Sequence, residues 1–363
     1  MSEKKITLSK ISSKDIENFN DTLSDDGICD IKKYKEHFLK YFDKHFKEYY
    51  EDFENYFSDS ESSSSSDKES DSDLNIKSDS DLEKKNIYPI YPIIDISTKI
   101  NNKSPLRYPG GKTRACEKLD EIISNIFNMK QYNVIISPFF GGGSFEFFLQ
   151  NKYNKYLIVN DKFKPLFSFW KTCKYNNNKL IIELNSRINT DKKDFKKYRD
   201  TIMEEKDTFL QSVYYFIINR CSFSGSTLSG GFSDESSKKR FTPSSIDRVN
   251  KLDLRFFDIY NYDFKKFINE IFMYDNIKPL MFLDPPYYLG KKSKLYGKNG
   301  DMHEQFDHEG LSNVLNNKKG WIMTYNNCEY IRELYKNFTI IETNWSYGMN
   351  KSKKSSEIII FNQ

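Results

Sequence analysis

Met281-Phe282-Leu283-Asp284-Pro285-Pro286-Tyr287-Tyr288 is the stretch that decides the fold. A short apolar run closing on an acid and two prolines predicts a buried parallel strand that stops at the carboxyl edge of a sheet. Ligands of open α/β sheets bind outside that edge. Asp284 would present a carboxylate there, Pro285 a carbonyl and Tyr287 an aromatic face, a set suited to gripping a flat ring through an amino group. Taken alone, the same residues also fit an ordinary strand exit with a capping Asp, so the rest of the chain has to discriminate.

Working outward, a helix is predicted over 113–127, a β-branched strand over Tyr132–Ile136, a glycine turn over Ser137–Ser144 and a helix over Phe145–Tyr153. A second strand, Tyr156–Val159, closes on Asn160-Asp161, and another helix starts at Lys162. Strand, glycine turn, helix, strand, acid is the half-fold that holds an adenosine-containing cofactor, with the acid on the ribose hydroxyls. In Pro138-Phe139-Phe140-Gly141-Gly142-Gly143-Ser144 the glycines let backbone approach a ligand, and the following helix offers free N–H groups. It is not a dinucleotide fingerprint, because Glu146 stands where GxGxxG needs glycine. Gly111-Lys112-Thr113 is not a P-loop either, since the first glycine falls on Leu106; Lys112 can instead offer a cation to a carboxylate.

Residues 176–260 read as a lobe inserted between strands. It holds a charged helical segment (Asp191–Asn219), a Ser/Gly-rich loop (Ser222–Ser233) with Arg220 at its entrance, the basic cluster Lys238-Lys239-Arg240, and a helix over Pro243–Leu254. Further strands are predicted over Phe256–Tyr260, Leu280–Leu283, Gly320–Thr324, Thr339–Thr343 and Glu357–Phe361.

Charge is divided unevenly. Residues 1–100 carry 15 Lys/Arg and 23 Asp/Glu (net −8), whereas 101–363 carry 41 and 29 (net +12). A basic body suits a polyanionic partner, although lysine-rich surfaces also serve solubility. Within the acidic part, residues 1–57 form an extension whose aromatic residues from Ile31 to Phe57 recur at helical spacing, either packing on a core or docking a protein partner. Residues 58–86 form a Ser/Asp/Glu-rich linker, expected to be disordered because it has too little apolar surface to offset ordering entropy. The five cysteines form no CxxC pair and the four histidines no HxxxH, so neither a metal site nor a disulfide framework is expected. With a polar start and no apolar run near the roughly 20 residues of a bilayer span, a soluble intracellular protein without membrane association is expected.

The ordered motifs resemble those of the Dam-like class of DNA adenine methyltransferases, which use S-adenosylmethionine. Tyr108-Pro109-Gly110-Gly111-Lys112 resembles the class's first cofactor motif, Pro138 to Ser144 its glycine motif, Asn160-Asp161 its ribose-binding acid and Asp284-Pro285-Pro286-Tyr287 its catalytic motif. Asn219-Arg220 with Ser222 to Gly225, Arg240-Phe241-Thr242-Pro243 and Ser356-Glu357-Ile358-Ile359 match further class elements, in order from about Ser104 to the end. Ser137 departs from the carboxylate usual before Pro-Phe, and Tyr108 from the Trp of many members. The resemblance implies an α/β, Rossmann-like methyltransferase domain over 87–363, with 176–260 as a mainly helical target-recognition lobe. It implies cofactor contacts from Tyr108, Gly110, Gly111, Lys112, Phe140, Gly141, Gly143, Asp161 and Asp284. Catalysis would fall to Asp284, Pro285 and Tyr287, and contact with double-stranded DNA to Arg220, Lys238, Lys239 and Arg240. Two other readings share these residues: the same fold acting on cytosine's exocyclic amine, RNA or a protein amide, and a non-catalytic DNA-binding module.

Overall fold

A computed structural model describes residues 99–225, 227–271, 278–288, 306–346 and 354–363. The expected N-terminal helix and acidic linker lie outside the described residues. Among the described residues seven strands form one sheet: β1 (Val134–Ser137), β2 (Tyr156–Asn160), β3 (Phe257–Tyr260), β4 (Pro279–Leu283), β5 (Trp321–Asn326), β6 (Thr339–Ser346) and β7 (Lys354–Asn362). Their order is β3-β2-β1-β4-β5-β7-β6. The first five are parallel neighbours, and β7 runs antiparallel to both β5 and β6.

Every residue of β1 and β2 is buried, the pattern of a strand covered on both faces. Alternation divides the core. Ile135, Leu157, Phe257, Leu280 and Phe282 face one helical layer, and Val134, Ile136, Ile158, Met281 and Leu283 face the other. The first layer holds α1 (Cys116–Ile126), α2 (Ser144–Tyr153) and α3 (Lys164–Tyr175). After α3 the chain inserts α4 (Asn177–Ser186), α5 (Lys192–Thr201), α6 (Thr208–Cys221), α7 (Asp234–Arg240) and α8 (Pro243–Asn250). Among the described residues, the second layer holds α9 (Phe264–Ile271), α10 (His308–Leu315) and α11 (Glu329–Leu334). This is the doubly wound, Rossmann-like sheet expected, and its strand order reverses between β1 and β4. The glycine turn after β1 and the Asp-Pro-Pro-Tyr segment after β4 therefore open on one crevice.

The strand expected over Phe256–Tyr260 is β3, an edge strand paired with β2, and it overlaps the end of the expected 176–260 lobe. The inserted helices pack on the sheet: Leu184, Phe195, Val213, Phe216 and Val249 join the core of its first face. α6 explains this, being buried continuously from Gln211 to Cys221, as only a helix packed on all sides is. The single helical segment expected over Asp191–Asn219 is two helices, because Asp207 caps α6 by accepting from the N–H groups of Phe209 and Leu210.

Candidate active site

At the end of β4, Asp284 is one-quarter exposed and Lys112 is 4% exposed, and the two form an ion pair. The Lys112 ammonium donates to Asp284 Oδ1 at 2.6 Å and Oδ2 at 2.7 Å, and to the Gly110 carbonyl at 3.3 Å. Thr324, on neighbouring β5, donates to Asp284 Oδ1 at 2.7 Å. Asp284 is thus fixed from two sides. Lys112 also lies 5.1 Å from the centre of the Tyr287 ring, which stacks on Tyr325 at 5.7 Å. Tyr325 is wholly buried, and its hydroxyl bonds the Pro286 carbonyl and His308. Burial holds the Tyr325 phenol protonated, well above its usual range. Asn326 donates to the Tyr288 carbonyl at 2.7 Å, so the backbone after Pro286 is anchored to β5 twice.

Across the crevice, the glycine turn is built by close approach. Gly141 has φ +52° and Gly143 φ +66°, left-handed values that suit glycine. A Cβ on Gly141 would stand 2.7 Å from the Tyr108 ring, and one on Gly142 2.7 Å from Tyr108 Cβ. Tyr108 therefore roofs the turn. Asp161 Oδ2 accepts from the Gly141 N–H and Oδ1 from the Phe163 N–H, both at 2.9 Å. Burial still raises the Asp161 carboxyl to about 6 against the pull of these two donors. Phe140, expected beside a cofactor, instead turns its ring into the core against Phe147, Trp170 and Phe257.

Glu146, in the first turn of α2, is buried and accepts from Ser137 Oγ at 2.6 Å. Burial raises its carboxyl to about 7, the Ser137 bond opposing the rise. A folded-state value above the ordinary 4.5 favours the folded chain at low pH, and this contribution is lost as pH rises through about 7. Glu146→Gln is accordingly expected to stabilise the protein at pH 8, by up to about 3 kcal/mol, with little effect near pH 4. Urea unfolding at the two pH values checks this; an equal effect at both would show that the gain is unrelated to ionisation.

The inserted helices grip the same region. Asn219 brackets Arg107, accepting from its N–H at 2.9 Å and donating to its carbonyl at 2.7 Å. Arg220 is buried and donates to the carbonyls of Arg240 at 2.8 Å and Pro105 at 3.1 Å. Its guanidinium is pushed down to about 10 by burial and by Arg107, Arg248 and Arg240. Arg220 thus ties the lobe to the loop carrying Tyr108–Lys112 instead of presenting itself outward. Lys238, Lys239 and Arg240 are exposed on the last turn of α7, with Lys239 also pairing Glu235 at 3.0 Å.

Sequence reasoning left out Thr324, Arg107, Arg248 and, as a functional residue, Glu146. Only Arg107 had a local signal, as the residue preceding the Tyr-Pro-Gly-Gly-Lys motif. Among the described residues no cluster of three His, Cys, Asp or Glu suits a metal ion, and no helix is long and apolar enough to cross a membrane.

With the geometry in place, two comparisons bear on it. Residues 108–349 match the D12 class N6 adenine-specific DNA methyltransferase family. A Type II methyltransferase, M.MjaIII of Methanocaldococcus jannaschii, is 25% identical over 270 residues, covering 65% of this chain and 88% of its own length.

Proposed function

The chain belongs to the D12 class N6 adenine-specific DNA methyltransferase family, and from that membership we propose how the crevice between β1 and β4 methylates adenine, with S-adenosylmethionine as donor. The single observation that carries the reading is the convergence of Lys112 and Thr324 on Asp284 at the switch point of the sheet, with the Tyr287 ring 5.1 Å from the same ammonium.

The donor's fit rests on the residues present: a glycine turn too tight for a Cβ, a helix N-terminus behind it, a buried Asp161 and a buried lysine. When bound, S-adenosylmethionine supplies a methyl group already activated on a sulfonium. Tyr108, Gly141, Gly143 and Asp161 would hold its adenosine part, and Gly110, Gly111 and Lys112 its amino-acid end. Asp161 already bonds Gly141 N–H, so it would both shape the turn and meet the ribose.

The exocyclic amine of adenine is a poor nucleophile because its lone pair is delocalised into the ring. The Asp284 carboxylate and the Pro285 carbonyl accept its two hydrogens and favour the pyramidal nitrogen. For this, Lys112 has to leave the Asp284 oxygens it now occupies, and a donor carboxylate offers it an alternative partner. After transfer the surplus proton on nitrogen leaves through Asp284 to solvent. Since the amine is paired inside a duplex, the base is flipped out, with Tyr287 as its stacking face. Incubating the protein with methyl-labelled S-adenosylmethionine and mixed-sequence duplex DNA should place label in N6-methyladenine. Label in N4-methylcytosine, RNA or protein alone would overturn the reading.

Exposed Lys238, Lys239 and Arg240, with Arg107 behind them, are proposed to contact the phosphate backbone. Replacing Lys238 and Arg240 together by Ala is expected to weaken duplex binding about tenfold at moderate salt and to lower the slope of log affinity against log salt by about two. Fluorescence anisotropy across a salt series reads both numbers, and an unchanged slope would place the two side chains away from phosphate. A role in a restriction-modification pair, which the relative's Type II name suggests, and a protein partner for residues 1–57 are also proposed.

A further inference from the structure

Glu146 is the buried acid for which the chemistry above has no use. It lies two residues past the glycine turn, and Ser137, the last residue of β1, donates to it at 2.6 Å. Among the described residues, four ionisable or polar groups from the elements packed around it act on it or feel it: Ser137 of β1, Lys112 of the loop before α1, Asp284 beyond β4 and the Cys116 thiol of α1. Cys116 is pushed up to about 12 and is neutral at working pH. Lys112 and Asp284 neutralise each other. Ionised Glu146 therefore adds one uncompensated negative charge where water does not reach, an unfavourable state until a cation arrives.

The chemistry of the reaction brings and removes such a cation. S-adenosylmethionine carries a sulfonium, an ammonium and a carboxylate, one net positive charge. The thioether left after transfer keeps the sulfur's electron pair and is net neutral. We propose that Glu146, held by Ser137 at the end of β1, is the counter-charge of the methyl donor: it gives up its proton when the cationic donor binds and regains one when the neutral product takes the donor's place. The inference rests on S-adenosylmethionine being the donor. It makes Glu146 a positioning residue that sorts donor from spent product by charge, acting through the field of the site.

The linkage has a defined sign. The donor binds the ionised form, so its affinity rises with pH and levels off above about 7, the free protein's Glu146 value. Isothermal titration in buffers of different ionisation enthalpy counts the protons. At pH 7 the wild-type chain is expected to release about half a proton per S-adenosylmethionine bound beyond that released with S-adenosylhomocysteine. Glu146→Gln should abolish this excess and weaken donor binding about tenfold at pH 8, with product binding within about twofold. Asp161, raised to about 6, contributes equally to both proteins, so their difference isolates Glu146. Ser137→Ala gives an independent reading: it removes a bond that favours the ionised acid, so the midpoint of the donor-affinity profile should move to higher pH. Equal proton release with donor and product, or an excess that persists in Glu146→Gln, would overturn the proposal, as would an unmoved midpoint in Ser137→Ala. Failure of the wild-type chain to bind S-adenosylmethionine at all would remove the underlying donor assignment, and this inference with it.

Discussion

Asp284→Ala is expected to abolish methyl transfer, by on the order of a thousandfold or more in kcat, while duplex affinity stays within about threefold. Activity falls because one of the two acceptors that shape the amine is lost. DNA affinity holds because the basic cluster proposed to contact phosphate is carried by α7 and not by the segment after β4. A stability effect should accompany the kinetic one. Lys112 is almost wholly buried, and without Asp284 its ammonium has lost both carboxylate oxygens, which costs about 3 kcal/mol. The two effects separate in a double variant. Lys112→Met with Asp284→Asn leaves neither member of the pair charged, so it should recover most of the stability lost in Asp284→Ala and none of the lost activity. Single-turnover transfer, anisotropy with duplex DNA and urea unfolding on the same variants read the three quantities. Loss of DNA binding together with transfer would make Asp284 a structural residue.

The ion pair also shows where sequence reading stops. Lys112 and Asp284 stand 172 positions apart, and nothing local in either motif states that they touch. What could be read was the half each supplies: a strand ending in acid and prolines, and a lysine after two glycines. All seven strands lie close to where alternation and β-branching put them, since burial on both faces leaves an unbroken apolar signature. Less was visible in the insertion, where α6 carries Asn219 and Arg220 inside a buried helix. In a sequence these look like surface residues; in the fold they clamp backbone atoms of Pro105, Arg107 and Arg240. Glu146 was likewise noticeable only as the residue that spoils a dinucleotide fingerprint. Its environment is made by Ser137, Lys112 and Asp284 together, a three-dimensional fact with no one-dimensional trace.

Gly141→Ala should cost about a hundredfold in S-adenosylmethionine affinity, through two separable causes. At φ +52° a side-chain-bearing residue is strained by about 1 kcal/mol or more. The added methyl would also stand 2.7 Å from the Tyr108 ring, closer than two carbons pack, so Tyr108 has to lift from the turn it roofs. Tyr108→Ala removes that collision but not the backbone strain. The double variant Tyr108→Ala/Gly141→Ala should therefore bind donor better than additivity of the two single losses predicts, and still less tightly than Tyr108→Ala alone. Because Gly141 N–H donates to Asp161, any shift of the turn also loosens the carboxylate proposed to meet the ribose, which makes donor affinity more sensitive than global stability. Calorimetric titration of the four proteins settles the matter: strict additivity would mean that Tyr108 does not roof the turn in solution, and undiminished affinity in Gly141→Ala would put the donor somewhere other than this crevice.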